Sequence, residues 1–369
     1  MSSMLRARLG RARSAASDAG VDALLVPPGS ELRYLLGGSG TSFERLTCLV
    51  LPAGGSPVLV VPKLEAPGYA AVAFDALGVD VATWVDGEDP YAVVARRLGR
   101  PGRVAVGDMM PALHVLGLRS AMPGAEQALA GPLLGELRMR KDAAEIEALR
   151  RAGAAIDRVH ARMGEWLRAG RTEAAVGADI AAAIVEEGHV RAEFVIVGSG
   201  PNGASPHHRV SDRVIKPGDV VVIDIGGPEA DGYNSDSTRT YSVGTPRDAD
   251  VAATYAVLQA AQAAAVSAVR PGVRAEDVDA TARKIISDAG FGDYFIHRTG
   301  HGIGLDVHED PYIVSGNARP LEPGMAFSIE PGIYQPGRWG ARIEDIVVVT
   351  AGGVEPLNNR PHELVELPG

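Results

Sequence analysis

The sequence predicts two domains: a smaller N-terminal α/β unit over residues 1–133, and an α+β unit over residues 134–369 made of two similar halves. Three observations predict this. The chain has 369 residues, more than one ordinary hydrophobic core serves. Its first 130 or so residues alternate short apolar strands with short helices. From Asp142 onward the pattern changes to helices followed by strands that end in acids, and it does so twice.

Composition narrows the class. Hydrophobic residues make up 46% and charged residues 22%, which is the balance of a folded globular chain rather than a disordered one. With 46 acidic and 36 basic residues the net charge is -10, whereas a nucleic-acid partner calls for the opposite sign. The single cysteine, Cys48, lies in the apolar run Leu46 to Leu51. It reads as a small buried hydrophobe and fits a reducing compartment. The basic start, MSSMLRARLGRARSAASDAG, lacks a continuous apolar stretch. It reads as an amphipathic helix, with Leu5 and Leu9 four apart and Gly20 as its stop. No apolar run approaches the roughly 18 residues of a membrane span, so a soluble, cytoplasmic protein is expected.

In the first unit, Val21 to Val26 is a strand. Leu46 to Leu51 and Val58 to Val61 flank Ala53-Gly54-Gly55-Ser56-Pro57 and form a hairpin. Val79 to Val85, a helix near Tyr91 to Leu98, and Val104 to Gly107 follow as a β-α-β unit. No chemical constellation falls here, so this unit is a scaffold or oligomerisation domain.

Gly131 to Lys141 is the junction. Asp142 and Glu145 then form a D-x-x-E capping arrangement that opens a long helix. Ile146, Leu149, Ile156, Val159, Met163 and Leu167 lie on one stripe at helical spacing, and Gly170 ends the helix. Arg168, Gly170, Val176, Ile184 and Gly188 then recur as Arg270, Gly272, Val278, Ile286 and Gly290, at a constant offset. The identities are few and helices repeat apolar residues by chance, so duplication and coincidence both stay open on this pattern. Two similar halves facing each other would build one site between them.

Each half carries acids on strands. Val220 to Ile223 leads to Asp224, and a second strand carries Asp236. The turn between them holds Pro228, Asp231 and Gly232, so the strands can pair as a hairpin with both aspartates on one face. Two neighbouring carboxylates in an apolar sheet need a proton, an arginine or a metal. Arg239, near in sequence, keeps a structural ion pair open. In the second half, His297, His301 and His308 surround the glycine-rich stretch Gly300-His301-Gly302-Ile303-Gly304, where glycines admit close backbone approach. Ala326 to Ile329 leads to Glu330, and Ala341 to Ile343 leads to Glu344; an edge-strand charge or an ion pair with Arg342 is the alternative reading of Glu344. Asp224, Asp236, Glu330 and Glu344 carry four negative charges, which two divalent cations balance. Oxygen-rich ligation with one imidazole suits manganese, cobalt or zinc. Such a pair of ions polarises a carbonyl and activates water, with histidines supplying hydrogen bonds and proton transfers.

The segment Gly198 to Gly203 matches G-x-G-x-x-G after a strand, but the residues up to Pro217-Gly218 show no helical period. No helix N-terminus is offered to a pyrophosphate, so a dinucleotide site is not expected.

The stretches VVVIDIGG, GYNSDSTRTYSVG, GHGIGLDVHE, LEPGMAFSIEPGIY and ARIEDIVVVT resemble the pita-bread metallopeptidases, which include Xaa-Pro dipeptidases (prolidases), aminopeptidase P and methionine aminopeptidase. The resemblance covers residues 134 to 369 strongly. The first domain resembles, more weakly, the creatinase-like domain of the proline-directed members, which lowers the standing of methionine aminopeptidase. The resemblance implies that Asp224, Asp236, His301, Glu330 and Glu344 hold two divalent metal ions, Mn2+ first and Co2+ or Zn2+ next. It implies that His308 stabilises the tetrahedral intermediate, that His297 binds substrate and that His207 lines the site. It further implies that Glu330 shuttles a proton and that Arg342 supports the acids. Retention of the five ligands disfavours both creatine hydrolysis and a non-catalytic binding protein of this fold. The implied reaction is hydrolysis of the bond before proline in a small peptide, by a homodimer. Two departures stand out. The stretch from Asp224 to Asp236 is one residue longer than in many relatives, with no expected effect on ligation. Tyr312 also stands where many prolidases carry the arginine that binds the dipeptide's C-terminal carboxylate. Either another group such as Arg209 or Arg338 takes that role, or the substrate is longer, as for aminopeptidase P.

Overall fold

The computed structural model describes residues 2–38, 40 and 44–369; the first residue of the expected N-terminal helix, Met1, lies outside them. The chain divides into two compact units, Met1–Arg138 and Met139–Gly369.

The first unit contains α1 (Ser2–Asp18), β1 (Ala23–Val26), α2 (Ser30–Leu36), β2 (Cys48–Pro52), β3 (Val58–Pro62), α3 (Phe74–Leu77), β4 (Asp80–Trp84), α4 (Pro90–Leu98), β5 (Arg103–Val106), α5 (Ala112–Ala121), β6 (Glu126–Leu129) and α6 (Gly131–Met139). The strands form one sheet in the order β4-β3-β2-β1-β5-β6. β2 and β3 pair as the expected antiparallel hairpin, with Cys48 opposite Val60. β4 and β5 join the same sheet but are not neighbours, because the hairpin and β1 stand between them. The crossover through α4 therefore spans the sheet, which local pattern cannot reveal. α4 starts where Asp89 Oδ1 accepts from Tyr91 N and Ala92 N, with Pro90 in the first turn. Cys48 is fully buried in this core, and burial pushes its thiol up to about 12, which makes it inert. The expected junction at 131–141 is largely helical, and the expected boundary after residue 133 falls inside α6.

The second unit opens with α7 (Ala143–Ala161), α8 (Glu173–Glu186), β7 (Phe194–Ser199), β8 (Val220–Pro228) and β9 (Asn234–Val243). It repeats with α9 (Val251–Ala268), α10 (Ala275–Asp288), β10 (Gly300–Gly302), β11 (Glu309–Ile313) and β12 (Ala326–Ile329). It closes with β13 (Gly332–Gln335), β14 (Trp339–Arg342), β15 (Asp345–Thr350), β16 (Gly353–Pro356) and β17 (Val365–Leu367). One sheet runs β17-β9-β8-β7 and another β11-β10-β12-β15-β16. An isolated bridge between Thr238 and Glu344 links them. All pairings here are antiparallel except β17 with β9.

The capping box at Asp142 and Glu145 is complete, with Asp142 N donating to Glu145 Oε2 at 2.9 Å. The helix it opens stops at Ala161 rather than Gly170, and a short 3₁₀ turn at Met163–Glu165 follows. Met163 and Leu167 still join Ile156 and Val159 in one core, whereas Ile146 and Leu149 pack into another, so the apolar stripe outlasts the helix and serves two clusters. The repeat is structural. Gly170 and Gly272 both take φ +86 and donate to equivalent carbonyls, Ile215 O and Leu321 O. Val176 and Val278, and Ile184 and Ile286, are buried at matching places on α8 and α10. This bears out an α+β unit of two similar halves. Contrary to the expectation of no membrane-length apolar run, α9 is uncharged over 18 residues. Tyr255, Leu258, Ala261 and Ala265 set its inner face into the core, as an apolar helix of a folded domain does.

Candidate metal centre

β8 and β9 pair in a register that sets Asp224 opposite Thr238 and Gly226 opposite Asp236. The two aspartates are thus diagonal neighbours on one face. Asp224 lies in mid-strand, not in a turn, and both are buried. His301 comes from β10, between two glycines that must be glycines: a Cβ on Gly300 would meet Ser328 O at 1.8 Å, and one on Gly302 would meet Asp310 O at 2.2 Å. Glu330 follows β12, and Glu344 sits between β14 and β15. In each half a Pro-Gly turn (Pro217-Gly218, Pro323-Gly324) starts the strand that delivers the acid, Asp224 in one and Glu330 in the other.

These side chains converge. Single ligand atoms of Asp236, His301 and Glu344 lie within 4.8 Å of one another. His301 Nε2 stands 3.2 Å from Glu330 Oε1 and 3.6 Å from Asp236 Oδ2. His301 Nδ1 is 3.1 Å from Gly302 O; only a protonated Nδ1 can donate to a carbonyl, so the neutral ring presents its Nε2 lone pair to the acids. Arg342 Nη2 reaches Asp224 Oδ2 at 2.5 Å. Thr238 Oγ1 donates to Glu344 Oε2 at 2.7 Å, and Ser328 Oγ donates to Glu330 Oε1 at 3.0 Å.

Four carboxylates thus share a buried space with one buried guanidinium. Burial first, then neighbouring negative charge, pushes Asp236 and Glu344 well above the usual carboxylate range. Burial also raises Asp224, against the pull of Arg342. Burial alone would raise Glu330, while the positive groups around it, Arg342 among them, hold it below the usual carboxylate range. Asp224 Oδ1 and Glu344 Oε1 are buried and have no hydrogen-bond partner among the described residues. Uncompensated carboxylate oxygens of this kind are costly unless a cation meets them. The oxygen-rich set with one imidazole therefore fits a divalent metal site.

The ion-pair alternatives separate cleanly. Arg239, the nearby candidate for the aspartates, pairs with Asp345 at 2.7 Å. Glu344 is held by Thr238, while Arg342 serves Asp224.

His308 packs edge-on against His301, ring centres 4.1 Å apart, and burial, then His301 and Arg298, pull it down to about 4. His297 Nδ1 meets Arg298 O at 2.6 Å and its Nε2 meets Tyr334 OH at 2.9 Å, so both ring nitrogens are engaged. His207 is exposed on the loop after β7. Sequence reasoning missed Tyr334, whose hydroxyl joins Arg342 Nη1 (2.6 Å) to His297. It also missed Thr238, Ser328 and Asp279; the last accepts from Thr299 and pairs with Arg283. Tyr334 and Thr238 lay inside conspicuous motifs, but nothing local marked their partners. The G-x-G-x-x-G stretch ends in a 3₁₀ turn, Gly200–Ala204, and Gly203 is needed for backbone contact, its Cβ position lying 2.9 Å from Gly198 O and 3.2 Å from Gly340 N.

A buried acid-and-imidazole cluster between duplicated α+β halves defines a metallopeptidase of the pita-bread class. Residues 147–351 match Metallopeptidase family M24 and residues 8–140 match the Creatinase/Prolidase N-terminal domain. The chain belongs to that metallopeptidase family. It is 59% identical over 362 residues to a probable dipeptidase PepE of Mycobacterium tuberculosis, covering 98% of this chain and 96% of the relative. It is 36% identical over 357 residues to an Xaa-Pro dipeptidase of Lactobacillus delbrueckii subsp. lactis, covering 95% and 96%. The crystal structure of dipeptidase PepE from Mycobacterium ulcerans superposes with a TM-score of 0.95 at 59% identity, covering 100% of this chain and 99% of that one.

Proposed function

We propose that this enzyme is a dinuclear-metal dipeptidase that hydrolyses the bond before proline, with Asp224, Asp236, His301, Glu330 and Glu344 holding two divalent cations. The observation that carries the metal reading is the pair of buried, partnerless oxygens on Asp224 and Glu344 beside an imidazole whose Nε2 faces the acids. Dipeptide substrates follow from the relatives' names, and proline from the Xaa-Pro dipeptidase among them. Manganese is the first choice, then cobalt or zinc.

When bound, such ions supply Lewis acidity at the scissile carbonyl and lower the pKa of a water. The protein's own groups do the rest. Glu330, whose Oε1 accepts from Ser328 Oγ at 3.0 Å, takes a proton from the attacking water and delivers it to the leaving nitrogen as the C–N bond breaks. His308 donates a hydrogen bond to the developing oxyanion. The chain Arg342–Tyr334–His297 fixes Asp224 on one side and the His297 ring on the other. A homodimer in the cytoplasm completes the proposal; the lone, buried cysteine supports a reducing compartment.

The test is hydrolysis of Ala-Pro, Ala-Leu and Ala-Pro-Ala by manganese-loaded protein. Turnover of Ala-Pro above the other two is expected. Preference for Ala-Pro-Ala would make the enzyme an aminopeptidase P, and preference for Ala-Leu would remove the proline assignment.

A further inference from the structure

Resting on the metal reading above, we infer that Arg239 is a positioning residue of the metal centre: it clamps the backbone on both sides of the seam where Glu344 meets Thr238, and so fixes the Glu344 carboxylate for a cation. Arg239 is buried, and its guanidinium carries five N–H donors. Nε donates to Pro361 O at 3.0 Å, Nη1 to Thr238 O at 2.9 Å and Glu344 O at 2.7 Å, and Nη2 to Asp345 Oδ1 at 2.7 Å and Arg360 O at 2.8 Å. All five donors are used, four of them on main-chain carbonyls. A plain ion pair with Asp345 needs no such fork, and Asp345 has a second partner in His362, whose Nε2 lies 2.6 Å from Oδ2.

The place of the clamp gives it its purpose. Glu344 falls in a gap between two ladders, after the pair Gly332 with Arg342 and before the pair Ile329 with Asp345. Its amide and carbonyl turn instead to β9. Glu344 N donates to Thr238 O at 3.1 Å, and Glu344 O accepts from Arg239 Nη1. That bridge sets Thr238 Oγ1 2.7 Å from Glu344 Oε2. Behind it, the segment that carries Arg360 and Pro361 is itself anchored. Asn358 Nδ2 donates to Asp157 Oδ1 on α7 at 3.2 Å, and Tyr255 OH on α9 donates to His362 O at 2.9 Å. Arg239 thus braces the ligand's backbone against one helix from each half. Gripping the backbone matters chemically. A guanidinium on the Glu344 carboxylate would neutralise it and take its lone pairs. Arg239 holds the main chain instead and leaves Oε1 without a hydrogen-bond partner, as a group that orients a metal ligand should.

The experiment titrates metal-free, full-length wild type, Arg239→Met and Arg239→Lys with manganese. The dissociation constant is read from the free Mn2+ signal in electron paramagnetic resonance, and melting temperatures are taken without metal. Both variants should bind manganese about 10- to 100-fold more weakly, the usual cost of removing a partner that orients a ligand. Lysine keeps the charge beside Asp345 but not the fork. Arg239→Lys should therefore regain melting temperature lost in Arg239→Met without regaining affinity. Affinity that recovers in step with melting temperature would make Arg239 a stabilising ion pair only and overturn the inference. So would wild-type affinity in a folded Arg239→Met; in either case the metal reading stands. If Arg239→Met does not fold, Arg239→Lys against wild type decides: weaker binding supports the clamp, and equal binding removes it. Should wild type itself bind no manganese, the metal reading and this inference fall together.

Discussion

Lowering the pH from 7 to 5 is expected to cost the folded protein about 2 kcal/mol through His160 alone. His160 is fully buried at the C-terminal end of α7, with Nδ1 3.0 Å from Tyr241 OH and Nε2 3.2 Å from Ser237 O. Burial, and then the charge of Arg239, pull it down to about 3. Its folded pKa thus lies below the value of about 6.5 in an unfolded chain. Below about pH 6.5 the unfolded chain takes up a proton there that the folded chain refuses, so stability falls with pH at up to about 1.4 kcal/mol per unit. At pH 7 the term is nearly absent, and by pH 5 it has grown to about 2 kcal/mol, with further loss toward pH 3. The assay is urea unfolding of metal-free wild type and His160→Gln at pH 7, 6 and 5, which removes metal release from the comparison. His160→Gln is less stable at pH 7 by about 1–3 kcal/mol for its imperfect hydrogen bonds. The gap between the two proteins should close on acidification. A gap that stays constant from pH 7 to 5 would sink the argument, since it would mean that His160 titrates alike in both states.

Glu344→Gln should bind less manganese than wild type after dialysis, read by atomic absorption; equal metal content would remove Glu344 from the ligand set. His308→Ala is expected to lower kcat by roughly 10²–10³ while metal content holds, and unchanged turnover would refute its oxyanion role. Glu330→Gln should lose turnover at least as severely, and near wild-type rates would refute the proton shuttle. Gly300→Ala must part β10 from β12 at Ser328 O, so it should lower stability by about 3 kcal/mol and loosen metal binding. A melting temperature equal to wild type would show that the strands yield more easily than the contact suggests. The homodimer predicts a light-scattering mass near twice 38.4 kDa, and a monomer mass would dismiss it.

Much of this molecule was legible in one dimension. Period-two and period-3.6 patterns, turn residues and the Asp142–Glu145 box act over a few residues, so strands, hairpins and the start of α7 could be read directly. The recurrence from Gly170 to Gly272 left duplication and coincidence both open, and the structure decided for two halves, in which the same left-handed glycine turn is used twice. The acids and histidines stood out because charge inside β-branched runs needs a reason. Where α7 would stop, and how β4 and β5 would sit in one sheet, depended on long-range packing. Pairing was likewise beyond the sequence. Proximity along the chain suggested Arg239 for the aspartates, yet strand register gave that role to Arg342 and sent Arg239 to Asp345. Tyr334 bridging Arg342 to His297, and Arg298 stacking over Tyr312, exist only because antiparallel strands bring distant residues abreast. Residue type and spacing determined which chemistry the chain could hold. Register and burial, which sum over contacts far apart in sequence, decided which groups meet.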